Sequence, residues 1–430
     1  MTSGMNTLPL ERRAAHAMHK GMMAARRCRL YRETCPFRNK SEHNPADMPE
    51  RIYLDHAATT QMLPEARHAW MEASMRWANP SSPHAEGRAA KAALEDARVR
   101  IAAALGWTGS VIFTSGASEA IAIALTRTNV GRVVASAVEH DSVLRLAGEG
   151  ERLPVDISGV TSFHHHSRES GNPTSDLSTK RHGPELGPCF RGDDEKGGRG
   201  DDVLFAIQHA NSETGVLQPL DQLIPQIRAA NGILFADCAQ TAGKLPLPDA
   251  DLIAIGAHKF GGPPGIGALL VRDLALLEPS GGQERGYRGG TEDLPAILAM
   301  AAALDAGREW MTEAADLRAF LDMGVVQAGG VVIAADAPRI PTIASYAMPG
   351  VPARAQLIRF DLGGIAVSAG SACSSGTLKP SHVLEAMRID PTLADSAVRV
   401  SFGRTTTRDD IDRFLDVWRA IAGDAKSRAA

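Results

Sequence analysis

The sequence predicts an α/β protein, with a large domain on a mostly parallel sheet and a smaller α+β domain toward the C-terminus. Three observations predict it. Between residues 110 and 271, short apolar runs alternate with segments of helical period. Polar side chains gather at the C-terminal ends of those runs, Asp237 and Gln240 after one, His258 and Lys259 after the next. A parallel sheet collects its ligand contacts at that edge. Past residue 307 the pattern changes to a shorter mixture of strands and helices.

In chain order, residues 1–50 stand apart: they hold a basic cluster (Arg12, Arg13, Arg26, Arg27, Arg29) and no clean apolar period. Glu11, Glu33 and Glu42 are unlike a transit peptide, and a disordered extension is expected. Arg51–Thr60 reads as a short strand running into small and polar residues, and Pro64–Met75 as a helix. From His84 to Leu105, Leu94, Ala97, Ile101 and Leu105 share one helical face, and Gly106 stops the helix. Ser110–Leu125 reads as strand, Ser/Gly turn and helix, and Val133–Val138 as a strand. Residues 162–200 lose all periodicity and are expected to be an inserted surface loop. The adjacent His164, His165 and His166 within it do not converge on one ion, so no metal site is expected. A strand from Asp202, a helix over Pro219–Ala230, and strands at 232–237, 251–257 and 267–271 follow. One long helical stretch is predicted over Pro295–Met323, then strands at Gly330–Ala334 and Ile343–Met348 and a helix over Val351–Leu362. Ile365–Gly376 reads as a strand leading into a small-residue loop, followed by a strand at Ala397–Phe402 and a helix over Arg408–Ile421. The C-terminal region is expected to pair with the first strand, giving a large domain over 65–307 and a small one from 51–64 and 308–430.

Composition narrows the function classes. At 430 residues, 44% hydrophobic and 22% charged, the chain resembles an ordinary soluble globular protein with a large core. A net charge of −4 gives no basic field for nucleic acid, and no run of 18 apolar residues offers a membrane span. The five cysteines are odd in number and lack CxxC spacing, so a reducing, cytoplasmic setting is expected.

The chemistry centres on Lys259. An amine at the end of an apolar strand, beside a Gly/Pro turn without bulky side chains, is partly desolvated. Desolvation lowers a lysine's pKa, and a neutral amine forms Schiff bases. Taken alone, a surface lysine after a strand is the simpler account. Small residues at Ser115–Ser118 open a helix whose free N–H groups suit an anion, although such caps without a ligand are more frequent. A Schiff-base lysine needs an aldehyde cofactor. Pyridoxal phosphate would use that helix start for its phosphate, Asp237 for its ring nitrogen and His140 for stacking.

These residues fall in segments that resemble a known family. They are Tyr53-Leu-Asp-His-Ala-Ala-Thr-Thr60, Phe113-Thr-Ser-Gly-Ala-Ser-Glu119, Val138-Glu-His140, His209-Ala-Asn-Ser-Glu-Thr-Gly215 and Ala236-Asp-Cys-Ala-Gln240. They continue with Ala257-His-Lys-Phe-Gly-Gly-Pro263, Gln283-Glu-Arg-Gly-Tyr-Arg-Gly-Gly-Thr291, Ser368-Ala-Gly-Ser-Ala-Cys-Ser-Ser375 and Val398-Arg-Val-Ser-Phe-Gly-Arg404. In this order, over about 370 residues, they resemble the class V, fold-type I pyridoxal-phosphate enzymes, and within them the cysteine desulfurases of the iron–sulfur cluster and nitrogen-fixation type.

The resemblance implies roles. Lys259 carries pyridoxal 5'-phosphate and moves the substrate α-proton; Asp237 pairs with the ring nitrogen, Gln240 with the phenolic oxygen, and His140 stacks on the ring. Ala117, Ser118 and His258 hold the phosphate, and Thr291 reaches the phosphate of a neighbouring subunit, which implies a homodimer. Asn79, Asn211 and Arg399 bind the carboxylate of L-cysteine. Cys373 attacks the substrate sulfur as a thiolate, leaving L-alanine and a Cys373 persulfide, with His140 a candidate for the proton transfer. Its small neighbours Ser371, Ala372, Ser374 and Gly376 suit an exposed loop, whose length accompanies handover to a scaffold or carrier protein in iron–sulfur cluster, cofactor or tRNA thiolation pathways. Cys238 reads as structural. Two departures stand out: Gly256 replaces a phosphate-binding serine, and the 162–200 insertion replaces a helix after Gly159-Val160. The same residues leave open a selenocysteine lyase or another class V transaminase, and a non-catalytic sulfur-assembly partner.

Overall fold

A computed structural model describes residues 51–76, 78–162, 202–369 and 380–429. The N-terminal extension, the 162–200 insertion beyond residue 162, and Cys373 with its loop lie outside the described residues. The first half runs β1 (Ile52–Tyr53), α1 (Pro64–Ser74), α2 (Ala85–Leu105), β2 (Ser110–Thr114), α3 (Ala117–Arg127), β3 (Arg132–Ser136), α4 (Asp141–Ala147), β4 (Arg152–Leu153) and β5 (Val203–Ala206). Then come α5 (Leu220–Ala229), β6 (Ile233–Asp237), β7 (Leu252–Gly256), β8 (Gly267–Val271), α6 (Leu294–Asp305) and α7 (Met311–Gln327). The C-terminal part holds β9 (Val331–Val332), β10 (Ile343–Ala347), α8 (Ala353–Leu362), β11 (Ile365–Ala366), α9 (His382–Ala386), α10 (Pro391–Asp395), β12 (Ala397–Ser401) and α11 (Arg408–Ala429).

The large sheet has seven strands in the order β2-β8-β7-β6-β5-β3-β4. Strands β7, β6, β5, β3 and β4 pair in parallel, and β8 alone runs against its neighbours β7 and β2. Every residue of β5, β7 and β8 is buried, as expected for strands covered on both faces. One apolar layer holds the buried face of α2, with Leu94, Ala97, Ile101 and Leu105, together with α6 and one face of the sheet. The opposite layer packs α3 on Ile112, Leu204, Phe235 and Leu269.

A separate apolar cluster organises the C-terminal part, where β12, β10 and β9 form an antiparallel sheet. Trp418 and Phe414 of α11 meet Phe360 of α8, the two phenyl rings stacked at 4.8 Å. As expected, this part pairs with the start of the chain: β1 runs parallel to β11, and Asp55 bridges to Ser401. The long helix predicted over 295–323 is instead two helices. Ala306 caps α6, and Gly307, at φ +73°, turns the chain before α7, a conformation the apolar spacing does not reveal. Among the described residues no helix is long and apolar enough to cross a membrane.

Candidate active site

Three parallel strand ends deliver the site. β6 ends in Asp237, and the following turn carries Gln240. β7 ends in Gly256 and passes into a single 3-10 turn, Ala257–Lys259. β3 is followed by Glu139 and His140, the latter capping α4. Against them lies the segment after β1, brought in by β1–β11 pairing from 202 residues away in sequence: Lys259 Nζ donates to Ala57 O at 2.6 Å and to Ala58 O at 2.8 Å.

Burial pushes the Lys259 amine down to about 8, helped by Arg399 and opposed by Asp237 and Asp55. The Asp237 carboxyl is pushed up by burial, opposed by the Ala239 N–H at 2.8 Å and by electrostatic interaction with His140 and Lys259. The two groups therefore share one field. His140 Nδ1 accepts from Ser142 N at 3.2 Å, which places the proton of a neutral ring on Nε2. His258 Nδ1 pairs with Thr59 Oγ1 at 3.1 Å, and burial, then Lys259, pushes its imidazole down to about 4.

The start of α3 is laid close to the sheet by residues without side chains. A Cβ on Gly267 would meet Gly116 Cα at 2.8 Å and Ile255 O at 2.4 Å, so only glycine fits there. Gly116, at φ +153°, precedes Ala117 and Ser118, the first residues of the helix, whose N–H groups lack i−4 partners within it. Gly256 lies beside them: a Cβ there would sit 3.4 Å from Ala117 Cβ and 3.5 Å from its N.

Arg399, on β12, is held by Asp55 Oδ1 at 2.7 Å and Ser212 O at 3.0 Å, and its Nε is buried without a partner. Asn211 is buried, its Oδ1 accepting from Glu213 N and Thr214 N and its Nδ2 donating to Val138 O, so one amide N–H remains for a ligand. Asn79 is exposed and holds Ser81 N, without a bond to the other candidate residues. Thr291 is exposed on the loop between β8 and α6, also apart from them. Cys238 is fully buried and its thiol is pushed up by burial, in keeping with a structural residue.

Sequence reasoning missed Asp55, which neutralises Arg399, and Glu139, whose Oε1 accepts Gln208 N at 2.7 Å while Oε2 is buried without a partner. Both lie in the quoted motifs, but only folding shows what they face. Gln240 Nε2 donates to Ala57 O at 3.0 Å and its Oε1 is likewise unpartnered. Arg399 Nε and Gln240 Oε1 are orphaned polar atoms in a space that also presents an amine, a carboxylate, an imidazole and a helix N-terminus. That set fits pyridoxal phosphate, with an aldehyde for the amine, a basic ring nitrogen for the carboxylate and a phosphate for the helix start.

The aminotransferase class-V profile matches residues 52–166 and 194–414. A cysteine desulfurase of Cereibacter sphaeroides is 33% identical over 396 residues, covering 88% of this chain and 97% of that protein. Among solved structures, a NifS-like protein from Rickettsia africae superposes with a TM-score of 0.72 at 27% identity, covering 86% of this chain and 99% of that one. SspA in complex with cysteine superposes at 0.65 with 25% identity, covering 83% and 100%.

Proposed function

This chain belongs to the aminotransferase class-V family and is a cysteine desulfurase, and from that premise we propose that it holds pyridoxal phosphate on Lys259 and takes L-cysteine to L-alanine, leaving a persulfide on Cys373. The observation that carries the reading is Lys259: a desolvated amine, pushed down to about 8, in one field with the buried carboxylate of Asp237. The cysteine complex of the similar SspA supports the substrate.

When bound, pyridoxal phosphate supplies an aldehyde for the substrate amine and a ring that withdraws electrons from the substrate Cα. Ala117 and Ser118 N–H groups and His258 would hold the phosphate; Asp237, whose carboxylate form is favoured by Lys259 against the burial that pushes it up, would pair with the ring nitrogen; Gln240 would bind the phenolic oxygen, and His140 would lie against the ring. Burial brings the Lys259 amine down to about 8, which favours the neutral form that would carry the cofactor and move the proton at Cα. Arg399, with Asn211 and Asn79, binds the substrate carboxylate, and Asp55 fixes one edge of the guanidinium for it. The Cys373 thiolate attacks the substrate sulfur: the S–S bond forms as the C–S bond breaks, and the carbon takes a proton to become alanine. Thr291, exposed on its loop, serves the phosphate of a partner subunit in a homodimer, and an acceptor protein takes the sulfur from Cys373.

The test is spectroscopic and then chemical. Protein incubated with pyridoxal phosphate is expected to show a visible-edge absorbance band that is lost in Lys259→Ala, and to release alanine and, with a reductant, sulfide from L-cysteine. Cys373→Ala is expected to keep the band and lose sulfide release. A band that survives in Lys259→Ala, or full desulfuration by Cys373→Ala, would sink the reading.

A further inference from the structure

The helix start proposed for the cofactor phosphate already carries a negative charge. Glu119 lies in the first turn of α3, and its side chain folds back so that Oε2 accepts the Ser115 N–H, just ahead of the helix. That placement suits the helix dipole and takes up one of the backbone donors near the turn. It also sets a carboxylate in the same turn as the Ala117 and Ser118 N–H groups, within about 5 Å of helix axis. Burial pushes the Glu119 carboxyl up, but the Ser115 N–H and Arg288 outweigh it and hold the group below the ordinary glutamate value. It is therefore ionised at neutral pH. Two anions at one helix end repel each other, and a phosphate monoester carries nearly two charges.

Arg288 meets that carboxylate from the loop between β8 and α6. Its Nε donates to Glu119 Oε1 at 3.2 Å, with 20% and 31% of the two side chains exposed. Both carboxylate oxygens thus have a donor, and among the described residues Arg288 is the one charged side chain that acts on Glu119. The loop does not depend on this contact for its place. Arg127, in the last turn of α3, donates to Ser280 Oγ at 2.6 Å and to Tyr287 O at 3.0 Å, and Glu284 pairs with Arg98 of α2. Those contacts fasten the loop; they leave unexplained a guanidinium aimed at the acid in the first turn of α3.

We propose that Arg288 is a positioning residue for the cofactor phosphate: by neutralising Glu119 it leaves the start of α3 able to attract a phosphate that the bare carboxylate would repel. The inference rests on the cofactor reading above and adds to it a residue outside the phosphate cradle. Arg288 need not touch the phosphate, because it acts through the charge it cancels. It also stands on the same loop as Thr291.

Dissociation constants of the full-length apoprotein for pyridoxal 5'-phosphate and for pyridoxal, which lacks the phosphate, are measured by fluorescence quenching. Low ionic strength is used, where a partly exposed pair is least screened. Arg288→Met is expected to weaken pyridoxal phosphate roughly three- to thirtyfold and to change pyridoxal less than about twofold. Adding Glu119→Gln to Arg288→Met removes the stranded charge and is expected to return the constant to within about threefold of wild type. Glu119→Gln alone leaves Arg288 uncompensated beside the helix start and is expected to tighten pyridoxal phosphate about two- to tenfold. That arm carries the test if Arg288→Met does not fold. A role in fastening the loop alone predicts that Arg288→Met weakens both ligands alike and that Glu119→Gln rescues nothing, and either result overturns the proposal. So does an Arg288→Met constant unchanged for pyridoxal phosphate, or a Glu119→Gln protein that binds it no tighter. A wild-type protein that binds pyridoxal phosphate no better than pyridoxal overturns the cofactor reading itself, and this inference with it.

Discussion

At Gly256 the backbone is extended, with φ −128° and ψ 124°, a conformation open to any residue. A Cβ there would make ordinary contacts with Ala117 at 3.4 and 3.5 Å. Serine therefore fits, and its hydroxyl would stand beside the helix start proposed for the phosphate. A hydrogen bond to a charged group contributes about 1.5–3 kcal/mol, so Gly256→Ser is expected to tighten pyridoxal phosphate roughly ten- to hundredfold. Fluorescence titration of the apoprotein measures this, and an unchanged or weaker constant would separate Gly256 from the phosphate. At this scale the sequence was informative where a motif supplied an expectation and silent elsewhere. Lys259, Asp237 and Gln240 stand at strand ends where a parallel sheet presents its ligands. Lys244, by contrast, lies in a Gly-Lys-Leu run with no local sign that its amine would be buried without a counter-charge.

Among the elements, the loop between β8 and α6 shows how local strain is offset by a distant contact. Glu284 and Arg285 adopt φ of +49° and +59°, the left-handed region, which costs a non-glycine residue about 1–2 kcal/mol. The Glu284 carboxylate accepts from Arg98 Nη1 at 2.8 Å, Arg98 Nη2 at 3.0 Å and Phe113 N at 2.8 Å, and both side chains are buried. Arg98 belongs to α2, so one ion pair ties the loop carrying Thr291 to the helix layer. Removing one partner of a buried pair costs about 3–5 kcal/mol, because the other charge is stranded. Arg98→Met is expected to lose that much in urea unfolding, and a loss below about 1 kcal/mol would show that Glu284 finds another partner. The helix period identified α2 well, and Leu94, Ala97, Ile101 and Leu105 form its buried face. The same period overlooked the break between α6 and α7, where Asp305, Arg308 and Glu309 interrupt the apolar run and Gly307 turns the chain.

For the molecule as a whole, the dependence of stability on pH sums opposing buried groups, most of them beyond sequence reading because burial itself sets the sign. Burial pushes His56, His209 and His258 down to about 4. The unfolded chain protonates them from about pH 6.5, so it binds more protons than the folded one in that window, and their contribution falls as pH falls. Burial pushes Glu139 and Asp237 up, so the folded protein retains protons that the unfolded chain loses above about pH 4.5 at Glu139 and about pH 3.8 at Asp237, and their contribution falls as pH rises. The two sets oppose each other, so the loss on acidification is shallower than the imidazoles alone would give. Glu139→Gln isolates one of the opposing groups. Glutamine keeps an oxygen for Gln208 N–H and has no proton to lose, whereas the wild-type carboxyl must be held protonated at a cost of about 1.4 kcal/mol per pH unit until the folded protein also ionises it. Urea unfolding of both proteins without added cofactor, at about pH 5, 6 and 7, is expected to show the variant gaining on wild type by about that increment per unit. A difference that does not change with pH would mean that Glu139 is ionised in the folded protein across this range, with a cation or a set of donors supporting it.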